Sequence, residues 1–246
     1  MENSTDQLLF LKRVINRIVR PFGINPFPRS FENPIAHKVN SAKEVFDEIY
    51  RTNYWKSFET YSGVGSEIKF VYPYIERLKK IINKYNLEKF FDAPCGDLNW
   101  INILIQDGTI KQYCGGDISE EVIKRNKEIY PHLTLDVFDI TKDVFPKVDV
   151  WHCRDCFFHL PFSAIYDALE NFLDSDIPFA LITSHRSYLM HKNLDVGYGG
   201  FRFLDLEKEP FYLPKPIERI PDFRFAYDFP RYVCLWSKEQ IAEFKR

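Results

Sequence analysis

The sequence predicts an α/β fold with a doubly wound, mostly parallel β-sheet. Two observations support this prediction: short apolar segments alternate with amphipathic helical segments after Leu87, and several of the apolar segments end in an aspartate. Regular β–α alternation is typical of a parallel sheet with right-handed crossovers. The predicted strands span residues 89–93, 112–117, 134–139, 148–153 and 179–184.

The turn after the first of these strands is the most informative part of the chain. Residues 90–100 read FFDAPCGDLNW and join a buried strand to a helix. Twenty residues beyond Asp97, the second strand ends in Asp117. In a doubly wound sheet the ligand lies beyond the carboxyl ends of the strands, where an acidic residue suits the two hydroxyls of a ribose. The pair of turns therefore indicates a bound nucleoside.

The same turn argues against a dinucleotide. A G-x-G-x-x-G fingerprint needs three glycines and only Gly96 is present, and there is no G-x-x-x-x-G-K-[ST] loop. Pro94 and the Asp97 carboxylate occupy the place of a phosphate, and a carboxylate repels a pyrophosphate but accepts an amino-bearing ligand. Two alternatives stay open: an NAD-dependent oxidoreductase, which would use Asp117 in the same way, and a non-catalytic nucleoside-binding protein.

Composition excludes several other classes. A formal net charge of -2 provides no basic surface for nucleic acid. No apolar stretch reaches the ~20 residues of a membrane span, and no signal peptide is recognisable, so we expect a cytoplasmic protein. The five cysteines suit a reducing compartment. Cys153 and Cys156 form a lone C-x-x-C, which we interpret as buried thiols, and no metal site is predicted.

The first 40 residues are predicted to lie outside the main domain, which spans residues 41–246. Residues 6–19 have apolar side chains at helical spacing, and the proline-rich stretch 21–34 reads as an extended arm. We expect the helix to form a homodimer contact or to pack on its own domain. The sequence does not separate these two alternatives.

Three further segments extend the pattern of the two turns that indicate a bound nucleoside. They are Phe138-Asp139-Ile140, Cys153-Arg154-Asp155-Cys156 and His159-Leu160. Together with DAPCGDLNW and Gly-Gly-Asp-Ile, they resemble a branch of the class I S-adenosylmethionine-dependent methyltransferases. Pro94 and Leu98 replace the first and third glycines of the general D-x-G-x-G-x-G motif, a departure typical of that branch. The resemblance covers residues 45 to 236 and implies a Rossmann-like seven-stranded sheet, closed by an antiparallel pair at 218–226 and 231–236.

The strand ends can then be matched to the parts of S-adenosylmethionine, the expected cofactor. Asp92 and Asp97 lie where the α-amino group of the methionine moiety would be. Asp117 would accept from the ribose hydroxyls, and Asp139 from the adenine amino group, with Ile140 beside the ring. The full predicted set is Tyr61, Ser62, Asp92, Ala93, Pro94, Cys95, Gly96, Asp97, Trp100, Asp117, Ile118, Asp139, Ile140 and Arg154. For Arg154, a carboxylate clamp and a core ion pair are both open.

Methyl transfer from a sulfonium requires an oriented nucleophile and, for a hydroxyl acceptor, a base. His159 is the first candidate, since a neutral imidazole suits pH 7 and Asp155, four residues earlier, could orient it. Asp155 itself is the second candidate and His185 the third. Metal is not required for this chemistry.

The acceptor is expected to contact the glycine-rich segment 197–200 after the fifth strand. Nearby Arg186, Lys192 and Arg202 suit an anionic carbohydrate or a nucleotide-linked precursor. Members of the resembling branch are often associated with bacterial surface-polysaccharide assembly. The resemblance therefore implies O-methylation of a small precursor of a capsule or lipopolysaccharide, with a phosphoramidate- or phosphate-bearing precursor as a specific case.

Overall fold

A seven-stranded mixed sheet forms the centre of the protein. The computed structural model describes residues 11, 14, 15, 18, 19, 30–39, 41–187, 191–223 and 229–243. The strands are β1 (Ser30–Phe31), β2 (Lys89–Asp92), β3 (Gln112–Asp117), β4 (Thr134–Val137), β5 (Val150–Cys153), β6 (Phe179–His185), β7 (Phe201–Arg202), β8 (Glu218–Pro221) and β9 (Arg231–Ser237). The spatial order of the sheet is β4-β3-β2-β5-β6-β9-β8. Strands β2 to β6 run parallel, and β9 is antiparallel to both β6 and β8.

This architecture confirms the predicted fold class, and each of the seven predicted strands is present. The chain builds the sheet outward in one direction through β3 and β4, then returns past β2 to add β5 and β6. The direction reverses between β2 and β5. A crevice forms at such a point beyond the carboxyl ends of the strands, and ligands of open α/β sheets bind there.

Helices cover both faces of the sheet. They are α1 (Ala42–Arg51), α2 (Ile68–Tyr85), α3 (Ile101–Gln106), α4 (Glu120–Ile129), α5 (Phe162–Leu173) and α6 (Lys238–Ile241). The Ser41 hydroxyl caps α1 by accepting from the backbone N–H of Glu44, as its position before the helix predicts. Glu67 is the N-cap residue of α2, and the hydroxyl of the preceding Ser66 accepts from Arg154.

Side chains alternate across the sheet and divide the core in two. Val150 and Trp151 are adjacent on β5 and fully buried, yet they belong to different clusters because consecutive strand residues point to opposite faces. The cluster around Trp151 contains Phe172 of α5, and the cluster around Val150 contains Ile75 of α2. Each such side chain contributes ~1.5–3 kcal/mol when fully buried. The sheet is thus fixed from both sides, which holds the strand ends in place.

The end of the proline-rich arm packs on the main domain. Strand β1 pairs with β7, so that Phe31 lies opposite Phe201 and the two rings stack with centroids 5.5 Å apart. The Asn33 side-chain amide donates to the Gly199 carbonyl at 3.1 Å. The sequence does not predict this small sheet, because neither strand exceeds two residues. It holds the segment 199–202 beside the crevice.

The N-terminal helix is described at five positions only. Leu11, Val14, Ile15, Ile18 and Val19 are helical, and the rest of the predicted helix 6–19 and the arm up to residue 29 lie outside the described residues. The homodimer through this helix stays a prediction. No helix in the described part of the chain is long and apolar enough to cross a membrane.

Candidate active site

A cavity of about 340 Å³ lies at the carboxyl ends of the parallel strands. Its volume falls within the range of small-molecule sites. It is lined by the three predicted catalytic residues and by every predicted cofactor residue except Tyr61 and Ala93. Ala93 is fully buried and its carbonyl accepts from the Trp151 indole, while the Tyr61 ring lies 4.1 Å from the Arg125 guanidinium. The other predicted cofactor residues that line it are Ser62, Asp92, Pro94, Cys95, Gly96, Asp97, Trp100, Asp117, Ile118, Asp139, Ile140 and Arg154.

Asp117 is held at the end of β3 by groups from three elements. Its carboxylate accepts from the backbone N–H of Gly96 at 3.1 Å and of Ser119 at 3.0 Å, and from the Tyr50 hydroxyl at 3.4 Å. Burial raises the pKa of Asp117 to about 6, and these three hydrogen bonds only partly oppose the shift. A carboxylate offers about four lone-pair sites, so one remains for a further donor. Sequence reasoning missed Tyr50, which lies 67 residues away on α1.

Asp97 organises the loop that follows Glu59. Its two carboxylate oxygens accept from the Thr60 hydroxyl at 2.7 and 2.8 Å, the Tyr61 backbone N–H at 2.7 Å and the Ser62 hydroxyl at 2.9 Å. Gly96 allows this close approach, because a Cβ there would lie 2.4 Å from the Ser62 oxygen and φ is +57°. The predicted segment 61–62 is therefore fastened to the turn 94–97. Asp97 contacts this loop directly, and its role toward an ammonium group stays a prediction.

Asp92 is the acidic end of a buried hydrogen-bonded chain. It accepts from Nδ1 of His152 at 2.6 Å and from the Tyr113 hydroxyl at 3.1 Å. The other ring nitrogen of His152 lies 3.0 Å from the Tyr74 hydroxyl. With Nδ1 protonated by this pairing, Nε2 accepts from Tyr74. His152 thus packs against α2, as its place within the strand predicts, and it fixes the orientation of the Asp92 carboxylate.

Asp139 follows β4 at the next strand end. One of its oxygens accepts from the Thr141 backbone N–H at 3.0 Å and the Thr141 hydroxyl at 2.6 Å, and the other lies 3.0 Å from the Lys142 ammonium. Phe138 and Ile140 border the cavity beside it. The local turn therefore presents one carboxylate between two apolar side chains.

Arg154 is a core ion-pair partner, the second of its two predicted alternatives. Its Nε and Nη2 donate to the two oxygens of Asp222 at 2.9 and 3.0 Å, and Nη2 also donates to the Gly65 carbonyl. Tyr74 and Trp100 lie 5.4 Å from its guanidinium carbon. Most of its donors are therefore used within the protein. The sequence did not indicate Asp222, which comes 68 residues later.

His159 lies in a short 3₁₀ turn (Phe157–His159) that the buried Arg202 supports by donating to the carbonyls of Phe157 and Leu160. Its Nδ1 donates to the Gly200 carbonyl at 2.5 Å. The neutral ring therefore keeps an unprotonated Nε2, which has no hydrogen-bond partner in the described part of the chain. Burial lowers the pKa of His159 to about 4, so the imidazole is neutral at pH 7.

Asp155 does not orient His159, in contrast to the sequence-based expectation; the Gly200 carbonyl does. Asp155 has a φ of +54°, an uncommon value for a residue other than glycine. Its carboxylate lies 3.2 Å from Nη1 of Arg231 and 3.5 Å from Nη1 of Arg154. Burial would raise the pKa of Asp155, but the two guanidinium groups outweigh it and the pKa lies below its ordinary value.

His185 presents a donor to the cavity. Its Nδ1 accepts from the Leu204 backbone N–H at 3.2 Å, so the neutral ring carries its proton on Nε2. Burial lowers the pKa of His185 to about 3, which keeps the ring neutral. In this tautomer Nε2 cannot take a proton from an acceptor. His185 therefore remains a candidate for binding more than for proton removal.

None of the three cationic side chains expected near the acceptor lines the cavity, and a different arginine does. Arg202 is buried beneath the 3₁₀ turn, and Arg186 and Lys192 are exposed and outside the cavity lining. Arg231, at the start of β9, lines the cavity instead. The sequence could have indicated Arg231, because it is the first residue of the last predicted strand. The aromatic residues that line this side of the cavity are Phe31, Trp55, Phe158, Phe201, Phe223 and Phe229.

The remaining predictions concern metal and thiols. All five cysteines are free, and burial raises the pKa of Cys153 well above its ordinary value. Among the described residues, no group of three histidine, cysteine, aspartate or glutamate side chains is arranged to hold a metal ion. The C-x-x-C pair therefore consists of thiols packed at the end of β5.

Comparison with known proteins identifies the fold. No family model matches the chain, and no curated protein is similar to it. The 1,6-didemethyltoxoflavin N1-methyltransferase of Burkholderia thailandensis, solved with 1,6-didemethyltoxoflavin and S-adenosylhomocysteine, matches with a TM-score of 0.55 and 13% identity over 85% of this chain and 93% of that chain. The methyltransferase domain of bacterial CtHen1 matches with a TM-score of 0.49 and 14% identity, over 66% of this chain and 96% of that chain. Both proteins are described as methyltransferases, and the first of these matches shows that this chain has the same α/β fold.

Proposed function

We propose that this protein is an S-adenosylmethionine-dependent methyltransferase. The observation that supports this most is Asp117, a buried carboxylate at the second strand end that faces the cavity with a lone-pair site to spare. One ribose hydroxyl would donate to that site and offset the loss of water around the charge of Asp117. The carboxylates around the cavity suit the hydroxyl, amino and ammonium groups of S-adenosylmethionine. When bound, this cofactor supplies a methyl group on a positively charged sulfur.

The half of the cavity that contains Asp92, Asp97, Asp117 and Asp139 is the proposed cofactor half, and these residues have separate roles. Asp92, kept in position by His152, provides a carboxylate for the ammonium of the methionine moiety. Asp97 fixes the loop that closes over the turn. Asp139 would accept from the adenine amino group, and Ile140 would pack on the ring.

In the other half of the cavity, which we assign to the methyl acceptor, His159 provides the base. Its Nε2 is unprotonated, and its ring centroid lies 5.4 Å from that of Trp55 and 4.5 Å from that of Phe158. A base of low pKa takes a proton only as the new bond to carbon forms, so it serves an acceptor that is oriented well or already acidic. Asp155 would hold a hydroxyl of the acceptor in line with the methyl group.

We infer that the acceptor is a small carbohydrate-type precursor of a bacterial surface glycan, which becomes O-methylated, with a phosphoramidate- or phosphate-bearing precursor as a specific case. The resemblance of the DAPCGDLNW turn to the polysaccharide-associated branch supports this class. Aromatic walls beside paired carboxylates and guanidinium groups suit a ring with hydroxyls. The five free cysteines agree with a cytoplasmic location for the reaction.

Transfer of label tests the proposal. The purified protein is incubated with methyl-labelled S-adenosylmethionine and a small-molecule extract of bacterial cells, beside the His159→Gln variant as a control. The expected result is label in sugar-containing products of low molecular mass with the wild type and a much lower yield with the variant. Label that enters only protein or nucleic acid would contradict the acceptor class.

A further inference from the structure

The acceptor half of the cavity contains a guanidinium group to which the proposed function gives no role. The Arg231 side chain is only 12% exposed and lines the cavity. Its Nη1 lies 3.2 Å from Asp155. Its Nε and Nη2 are buried without a hydrogen-bond partner in the described part of the chain. Because buried donors are nearly always paired in folded proteins, two unpaired N–H groups on one side chain indicate a missing acceptor.

A second donor lies beside it. His185 and Arg231 are directly opposite each other in the antiparallel pair β6–β9. Directly opposite residues have Cβ atoms about 5 Å apart. Nδ1 of His185 accepts from Leu204, so its Nε2 carries the proton, and both side chains line the cavity. Neighbouring strands thus present an imidazole N–H and a guanidinium to the same part of the cavity.

The ion pairs around these donors leave Nε and Nη2 of Arg231 without a hydrogen-bond acceptor in the described part of the chain. Asp222 receives two hydrogen bonds from Arg154, while its nearest approach to Nε of Arg231 is 3.5 Å. Asp155 is shared between Arg154 and Nη1 of Arg231. Two carboxylates and two guanidinium groups balance formally, which allows the group to remain buried. The Nε and Nη2 edge of Arg231 is left for a ligand.

The surroundings strengthen a charged contact. The Phe223 ring lies 5.6 Å from the Arg231 guanidinium carbon, and the Phe158 ring lies 5.5 Å from the His185 ring. Apolar walls lower the local dielectric, so charge-assisted hydrogen bonds there are stronger than in water. Two oxygens of one oxyanion match the parallel N–H groups of a guanidinium edge. A neutral carbonyl offers a single oxygen.

We infer that Arg231 and His185 form a binding subsite for an oxyanion of the methyl acceptor, a carboxylate or a phosphate. This inference rests on the proposed function, because the subsite lies in the same cavity. It narrows the acceptor to a molecule that carries a negative charge near the atom to be methylated.

Matched aromatic probes test the inference on the wild-type protein. Benzoate, phenyl phosphate and the uncharged benzamide are titrated calorimetrically into the protein saturated with S-adenosylhomocysteine. At least one anion is expected to bind roughly tenfold or more tightly than benzamide, the effect of a hydrogen bond to a charged group. The stronger of the two anions identifies the carboxylate or the phosphate as the ligand chemistry. Equal affinity for benzamide, or no binding of either anion, overturns the inference.

Substitutions of Arg231 test whether the anion binds at this side chain. Arg231→Gln should abolish the preference for the anion, and Arg231→Lys, which keeps the charge but loses the paired N–H groups, should reduce it. Arg186→Gln is the matched control, because Arg186 is exposed and outside the cavity lining, and it should leave the preference unchanged. If Arg231→Gln does not fold, the Lys variant and the wild-type comparison decide. An anion preference that survives both Arg231 variants overturns the assignment.

Failure of the proposed function is recognised separately. S-adenosylhomocysteine is titrated into the wild type and each variant first. If the wild type does not bind it, the proposed function fails, and the same anion titrations on the ligand-free protein still decide the inference. If S-adenosylhomocysteine binds to the wild type and to all folded variants with similar affinity, and the wild type shows no preference for an anion over benzamide, only the inference fails.

Discussion

The buried carboxylate of Asp117 is the single residue on which the cofactor assignment depends most. Burial raises its pKa to about 6, and the three groups that donate to it come from Gly96, Ser119 and Tyr50. None of these donors is charged. A ligand hydroxyl that donates to Asp117 should therefore both strengthen ligand binding and favour the ionised form of this carboxylate.

Replacing Asp117 should weaken binding of S-adenosylhomocysteine. Asp117→Asn should reduce the affinity by roughly 1.5–3 kcal/mol, the range for hydrogen bonds to a charged group. Isothermal titration calorimetry measures the change, and circular dichroism checks that the variant is folded. A folded variant with wild-type affinity would mean that Asp117 does not contact the ribose.

The same group predicts a pH dependence. A ribose hydroxyl donates to the ionised form, whereas the free protein binds a proton at Asp117 below about pH 6. Binding must then release this proton, so the affinity for S-adenosylhomocysteine should fall as the pH is lowered from about 7 to about 5. His159 and His185 have pKa values of about 4 and about 3 and stay neutral over this range. The Asp117→Asn variant should show a flat profile; a parallel slope in both proteins would assign the proton to another group.

His159 carries the catalytic prediction at this scale. His159→Gln should lower turnover by about 10²–10⁴-fold, the usual range for loss of a general base, with little change in S-adenosylhomocysteine affinity. Because the Gly200 carbonyl holds the imidazole and Asp155 does not, the effects of Asp155→Asn and His159→Gln should be close to multiplicative. A double variant no slower than the worse single variant would instead show that the two residues act as one unit.

At the level of elements, the turn between β2 and α3 combines a structural and a binding function. The left-handed backbone of Gly96 brings the loop 60–62 onto Asp97, while the Gly96 backbone N–H donates to Asp117. The two strand ends are therefore linked through one residue. A disturbance of the turn should reach the binding site even where no ligand contact is removed.

Gly96→Ala tests this link, and Gly108→Ala is its matched control. Both residues have positive φ, +57° and +75°, so each substitution should cost ~1–2 kcal/mol of backbone strain. A Cβ at Gly108 meets nothing within 4 Å, whereas one at Gly96 meets the Ser62 oxygen at 2.4 Å. Gly96→Ala should therefore lower the melting temperature more and should alone weaken S-adenosylhomocysteine binding. Equal effects of the two variants on binding would contradict the role of the turn.

The elements were predictable where the chain carries local patterns. The strands follow from short apolar runs, and each strand-end carboxylate follows from its place in the run, as for Asp92 and Asp117. Contacts between distant segments were not predictable, because no local pattern encodes them. Asp222 pairs with Arg154 across 68 residues, and β1 meets β7 over two residues on each side.

The site shows the same division. Ser66 stands just before a helix, where serine commonly caps, but its hydroxyl accepts from Arg154, which comes 88 residues later. The orientation of His159 was assigned to Asp155 from a helical spacing, but the chain turns as a 3₁₀ helix and the Gly200 carbonyl comes from a segment 41 residues later. Spacing predicts which side chains are neighbours along an element. It does not predict which distant carbonyl or guanidinium completes the site.

The whole molecule places two kinds of chemistry on either side of one crevice. Asp92, Asp117 and Asp139 lie at or just after the ends of β2, β3 and β4, in the half that we propose for the cofactor. Histidines, Asp155 and Arg231 lie near β5, β6 and β9, in the half that we propose for the acceptor. The reversal of strand order between β2 and β5 brings the halves together. The arrangement suits transfer of a group from a nucleoside to a separate small molecule.

The central claim, that the crevice binds the nucleoside of a methyl donor, is tested most directly by calorimetry of the wild-type protein. S-adenosylhomocysteine and NAD are titrated separately under the same conditions. We expect one equivalent of S-adenosylhomocysteine to bind and NAD to show no saturable binding, because Pro94 and Asp97 occupy the place of a pyrophosphate. Saturable binding of NAD without binding of S-adenosylhomocysteine would contradict the account and favour an oxidoreductase.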